Sequence, residues 1–400
     1  VNLINKNIYF FLKERGLKHV LDPNRVIPKK ISINKPYNFT RIENDTIAIA
    51  YLDTVSSGED FSKFTSDPID TVYKEFSLND STIANKAYYV FRAYEYEITN
   101  DTLTYTEIVD TTLNYNFDCE DFNRINKVLK NVDIVIHAAA YAHEGLSVFS
   151  PHLICKNIIS GSTSVFSAAA NNKVKRIVFC SSMARYGKLK PPFKETDNPN
   201  PVDPYGIAKL AAEKILENIC EVHEIEYNIA VPHNIIGNKQ RYDDPFRNVA
   251  SIMINLMLQN KQPIIYGDGE QKRSFSDISD CIYCIDKLAT APKIKSELIN
   301  IGPDDNYISI NELYRKIANK LKFNKEPKYY PDRTNEVKFA NCSAEKSKKV
   351  LGYKKIKDID ESLDDIIKYI KKRGVRDFRY DYELEILNEK TPETWEKKIF

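Results

Sequence analysis

From about Leu113 onward the apolar positions fall into short solid runs that alternate with spaced ones. Asp133-Ile134-Val135-Ile136-His137, Lys175-Arg176-Ile177-Val178-Phe179-Cys180 and Tyr227-Asn228-Ile229-Ala230-Val231 are solid runs of the kind a strand needs when both its faces are covered. Between them the spacing turns helical, from about Leu153 to Ala170 and from Tyr205 to His223. In the second stretch Ile207, Leu210, Ala211, Ile215 and Ile219 recur at steps of three and four. Strands separated by helices predict an α/β fold with a doubly wound parallel sheet. Beyond about Asn234 the alternation loosens. Helices expected at about 248–259, 310–321 and 359–372 then form a smaller lobe.

Residues 1–112 have another texture. They are rich in Asn, Asp, Thr and Tyr, and Gly16 and Gly58 are their only glycines. Tyr88 to Tyr96 is β-prone, Ile47 to Asp53 is strand-like, and Ile98 to Tyr105 suits a hairpin with Asn100-Asp101 at its turn. The pattern divides the chain into an atypical N-terminal region (1–112), a strand-and-helix region (113–235), a lobe with returning elements (236–375) and a C-terminal tail (376–400).

Charge narrows the function. The 58 basic and 56 acidic side chains nearly cancel, so there is no broad cationic footprint for nucleic acid or a membrane surface. No run of about eighteen apolar residues suggests a membrane span. The first residues lack both an initiator Met and a signal-peptide pattern. The seven cysteines are scattered, and Cys281 and Cys284 fall in an apolar helical pattern, which reads as core packing rather than a metal site. A reduced, cytoplasmic compartment and no metal are expected.

The candidate chemistry lies where strands end. Tyr205 and Lys209 sit at i and i+4, on one helix face. An ammonium beside a phenol stabilises the phenolate and so favours proton exchange near neutrality. Ser182, in Ser181-Ser182-Met183-Ala184-Arg185-Tyr186-Gly187, ends the preceding strand, where a hydroxyl can bond the same substrate oxygen.

The order of motifs is similar to that of the extended short-chain dehydrogenase/reductase family. It runs His137-Ala138-Ala139-Ala140, Asn157-Ile158, Ser181-Ser182, Tyr205 with Lys209, Pro232-His233-Asn234, and Gly267-Asp268-Gly269 with Gln271, Arg273, Phe275 and Asp280. The resemblance is closest to NAD-dependent nucleotide-sugar epimerases and dehydratases, and implies a Rossmann-like cofactor domain. It also implies that Ser182, Tyr205 and Lys209 are catalytic. Asp118, Ala138, Ala139 and Asn157, with Tyr205 and Lys209, would hold NAD. Asn234, Arg273 and Arg333, with Ser182, would hold a UDP-sugar. Lys209 would lower the pKa of Tyr205, and a homodimer through the Tyr205 helix is expected. The residues after Ser182 are Met183-Ala184, not the acid that dehydratases carry, which favours 4-epimerisation. His143-Glu144 could touch substrate, Glu195-Thr196 reads as structural, and His223 and His233 read as packing residues.

The resemblance breaks at one place. Relatives open with a glycine-rich turn that cradles the cofactor pyrophosphate at a helix N-terminus. Residues 1–112 contain no such turn, and Thr54 to Gly58 is a poor substitute. The expected sheet therefore lacks its usual first βαβ unit, through a divergent cofactor half, a foreign segment fused to a truncated enzyme, or completion by a neighbouring chain. The coincidence of the compositional break with the lost motif favours fusion or truncation. The alternatives for function are a non-catalytic nucleotide-sugar-binding protein and a sugar reductase or dehydratase of the same family.

Overall fold

A computed structural model of the chain describes residues 117–400 apart from Asn306, and before them the backbone of four strands. These are β1 (Tyr37–Phe39), β2 (Thr46–Leu52), β3 (Phe91–Thr99) and β4 (Thr102–Ile108), which form one antiparallel sheet in that order. Thr99 pairs with Thr102, so the β3–β4 hairpin has the predicted register. Asn100-Asp101, Gly16 and Thr54 to Gly58 lie outside the described residues. The chain divides into two compact units, Val1–Asn116 and Phe117–Phe400.

The second unit is built on a parallel sheet of β5 (Ile134–His137), β6 (Arg176–Cys180), β7 (Glu226–Pro232) and β8 (Glu297–Ile301), in spatial order β8-β7-β6-β5. The predicted α/β fold is present. Alternate residues of the central strands enter two different cores. Ile177 and Phe179 join Ile229, Val231 and the helices α3 (Gly161–Asn171) and α4 (Pro204–Val222). Val178, Cys180 and Ala230 face Cys281, Cys284 and Leu288 on the helix Ile278–Thr290. Both cysteines of the CxxC pair are thus core packing, as read. On β5 only Val135 and His137 are buried, while Ile134 and Ile136 are exposed. β8, whose sequence neighbours belong to the lobe, returns to pair with β7.

The helix expected from Leu153 begins at Pro151, and Lys156–Ser160 is wound as a π turn before α3. Such a turn inserts a residue and rotates the helix beyond it. Within it Asn157 accepts a hydrogen bond from the Tyr141 amide (2.8 Å), which fixes the loop leaving β5. In the lobe, Val249–Leu258, Ile310–Leu321 and Ile359–Arg373 pack round a third core. The second of these opens with a capping box, Ser309 with Glu312.

Residues 376–400, expected as a tail, are tied to the body. Glu385 accepts from the His152 and Leu153 amides (2.9 and 2.8 Å), capping the helix at Pro151. Trp395 is buried edge-on to Phe149 and Phe246.

Candidate active site

The chain leaves β6 at Cys180 and enters a tight turn. Ser182 caps it, accepting from the Ala184 amide (3.2 Å). The turn is locked to α4 from below. Glu213, buried on α4, is hydrogen-bonded by Ser181 and takes a two-pronged ion pair from Arg185 (Nε 3.0 Å, Nη2 3.0 Å). Tyr186 donates to Asn300 on β8 (2.8 Å), so the turn is held from the sheet as well.

The start of α4 meets this turn. Asp203 is its N-cap, accepting from the Gly206 amide (2.8 Å), and Pro204 occupies the first helical position. Gly206 is required by crowding: a Cβ there would lie 2.7 Å from the Ala184 carbonyl oxygen. The close approach sets Tyr205 opposite Ser182, and the Tyr205 amide donates to Ser147 Oγ (3.1 Å).

A cavity of about 530 Å³ opens above these strand ends. Ser182, Tyr205 and Lys209 share its wall with Ala138, Asn234, Arg273 and Arg333, which brings together seven of the ten predicted site residues. Of the alanines, Ala138 and Ala140 line the cavity, whereas Ala139 does not. Asp118 and Asn157 stand outside the wall: Asp118 receives the Glu120 amide (2.9 Å), and Asn157 holds the β5 loop.

Burial is the largest influence on both Tyr205 and Lys209. Burial pushes the Tyr205 phenol well above its ordinary value, Ser182 offsets this in part, and Glu144 and Asp203 add to the rise. The Lys209 ammonium is buried and donates to the Cys180 carbonyl (2.8 Å), 6.0 Å from the Tyr205 ring centre. A buried ammonium must find an acceptor, and the strand-end carbonyl is nearer than the phenol. Burial lowers Lys209 to about 8.

Arg333 makes a bidentate pair with Glu336 (2.9 and 2.9 Å), and Arg273 reaches the same carboxylate (3.4 Å). Burial opposes the Arg333 charge, but Glu336 outweighs it, so the group stays firmly cationic. Tyr266 lies under its guanidinium, 5.0 Å away. Asn234 donates to the Ser274 carbonyl (2.9 Å).

Several groups escaped the sequence reading. Glu336 and Asp203 had no motif to mark them, and Phe400 reaches the wall from the C-terminal segment. Of the pair read as able to touch substrate, Glu144 lines the cavity, whereas His143 is buried against Asp244 (3.1 Å). His233 is buried on the Pro303 carbonyl (3.1 Å), as read, but His223 is an exposed helix end rather than a packing residue. Glu195 accepts from the Asn300 amide (2.9 Å), a structural contact.

The residues present fit the nicotinamide-ribose end of NAD. Lys209 spends one of its three donors on Cys180 and keeps its ammonium at the cavity wall, with small alanines opposite. No glycine turn for the pyrophosphate occurs among the described residues.

The NAD dependent epimerase/dehydratase family profile matches residues 92–302. The chain is 31% identical over 261 residues to a putative UDP-glucose 4-epimerase of Methanocaldococcus jannaschii, covering 64% of this chain and 83% of that protein. Its fold is similar to the UDP-glucose 4-epimerase of Thermotoga maritima solved with UDP-glucose. That match has a TM-score of 0.62 and 26% identity, covering 66% of this chain and 89% of the other. It is also similar to the UDP-glucuronic acid 4-epimerase of Bacillus cereus solved with UDP-glucuronic acid and NAD. There the TM-score is 0.59 and the identity 25%, over 64% of this chain and 81% of the other.

Proposed function

The chain belongs to the NAD dependent epimerase/dehydratase family, and on that premise we propose that it is a UDP-hexose 4-epimerase. The observation that carries the reading is one cavity lined by Ser182, Tyr205 and Lys209 together with Arg273 and Arg333. That set of groups suits a ligand with a reacting hydroxyl and a diphosphate. Arg333 presents a planar fork of donors matched to phosphate oxygens, and a diphosphate would compete with Glu336 for it.

Bound NAD supplies the hydride acceptor for oxidation at C4 and the donor for its reversal. Lys209 would hold the nicotinamide ribose, with Ala138 and Ala140 allowing close approach. Tyr205 takes the proton from the C4 hydroxyl, Ser182 orients the oxygen, and the same phenol returns the proton once the sugar has turned over. The turn after Ser182 presents Met183 and Ala184, with no acid there to protonate a departing hydroxyl. That favours epimerisation over dehydration.

Tyr205→Phe keeps the ring and removes the phenolic oxygen. Interconversion of UDP-glucose and UDP-galactose should fall about 100-fold or more while UDP-glucose still binds. Undiminished turnover would overturn the mechanism. Binding of UDP-glucose with no turnover in the wild type would favour the non-catalytic alternative, and a dehydrated or net-reduced product the dehydratase or reductase.

Two further readings accompany this one. The outward face of α4 exposes Ile207 (53%) and Val222 (65%), which supports a homodimer through that helix; a single-chain mass by light scattering would refute it. A cytoplasmic role in supplying activated sugars for polysaccharide suits seven cysteines that are all unpaired. Among the described residues no helix is long and apolar enough to cross a membrane.

A further inference from the structure

Residues 376–400 carry none of the motifs singled out in the sequence, yet they support the cavity wall from behind. Thr394 is fully buried, and its hydroxyl is hydrogen-bonded to that of Tyr266. Tyr266 closes the short strand Ile264–Tyr266, which pairs in parallel with Lys328–Tyr330. Beyond these strands the two chain segments stay close, since a Cβ on Gly267 would fall 1.9 Å from the Asp332 carboxylate. Arg333, the next residue, lies over the Tyr266 ring with its guanidinium 5.0 Å from the ring centre. A cation gains from such contact only at the face of the ring. The strand fixes the Tyr266 backbone, and the hydrogen bond at its far hydroxyl stops the ring from turning about its side-chain bonds.

Arg333 spends Nε and Nη2 on Glu336 (2.9 Å each). Nη1 bonds no described residue and lies close to Gly145, where an added Cβ would be 3.2 Å from it. Trp395 packs at the same point: its ring would be 3.1 Å from that Cβ, and it meets the Tyr266 ring edge-on at 6.4 Å. The guanidinium is thus held by Glu336 along one edge and by Tyr266 across one face. One donor arm is left for a ligand. Glu336 is a near neighbour in sequence, whereas the hold of Tyr266 depends on Thr394.

We propose that Thr394 is a positioning residue for the diphosphate of the nucleotide sugar: through the Tyr266 hydroxyl it keeps that ring beneath Arg333, and so keeps the free Nη1 in place on the cavity wall. This rests on the nucleotide-sugar reading above and adds to it a residue that acts through another. Thr394→Val keeps the branched shape and removes the hydroxyl. In calorimetry it should bind UDP about three- to tenfold more weakly, the usual worth of one buried hydrogen bond. The KM for UDP-glucose should rise alike, with kcat held within about twofold. Thr394→Ser should restore both. Tyr266→Phe keeps the ring, removes the other half of the bond, and should match Thr394→Val. In an Arg333→Ala background Thr394→Val should cost UDP affinity nothing further. A merely structural role predicts the same loss whether or not Arg333 is present. In a wild type that binds UDP, undiminished affinity in Thr394→Val and Tyr266→Phe would overturn the assignment, as would a renewed loss in the Arg333→Ala background. Failure of the wild type to bind UDP and UDP-glucose would bring down the nucleotide-sugar reading itself, and this inference with it.

Discussion

On the cavity wall Arg273 and Arg333 converge on Glu336, whereas Tyr205 is set against Ser182 near the helix cap Asp203, with its charged form disfavoured by burial. Two arginines share one carboxylate, so this part of the wall keeps a net positive charge, whereas burial holds the phenol neutral at rest. The proposed site would take affinity from the first and chemistry from the second.

That division can be broken from either side. The largest effect is the loss of turnover in Tyr205→Phe, which leaves the arginines in place. Next is Arg333→Ala, which should weaken UDP and UDP-glucose alike, by about 10- to 100-fold in calorimetry, because a charge-assisted bond to phosphate is lost in both. Unchanged UDP affinity in Arg333→Ala would mean that this arginine does not hold the diphosphate.

The smallest effect concerns Asp203. Burial and then Glu144 push its carboxyl up to about 7. In the unfolded chain an aspartate ionises near pH ~4. Between those values the folded state binds the extra proton, so this group's contribution is full below about pH 4 and is lost as pH rises through about 7. Asp203→Asn keeps the helix cap and removes the titration. The fall in melting temperature from pH 5 to pH 8 should be smaller in the variant than in the wild type. An identical fall in both would mean the carboxyl titrates normally.

The sequence made part of this visible. Strands β5, β6 and β7 are solid apolar runs, and α4 and Ile310–Leu321 carry an uninterrupted helical period, so their places could be read directly. Ser182, Tyr205 and Lys209 were legible because strand ends and an i, i+4 step are local features. Burial was not. Lys209 lies on the expected helix face, and its desolvated ammonium is held by the Cys180 carbonyl, a contact that spacing alone does not reveal. Residues brought together by the return of the chain carried no local signal: β8 beside β7, Glu336 under Arg333, and Trp395 against Phe246.

The oxidation and return of hydride at a single carbon is the centre of the account. It is tested by supplying UDP-glucose deuterated at C4, with NAD, and examining the product by mass spectrometry and NMR. Epimerisation at Tyr205 with hydride returned to the carbon it left predicts UDP-galactose that retains deuterium at C4. Loss of the deuterium to solvent, or the absence of any UDP-galactose with NAD in excess, would contradict it.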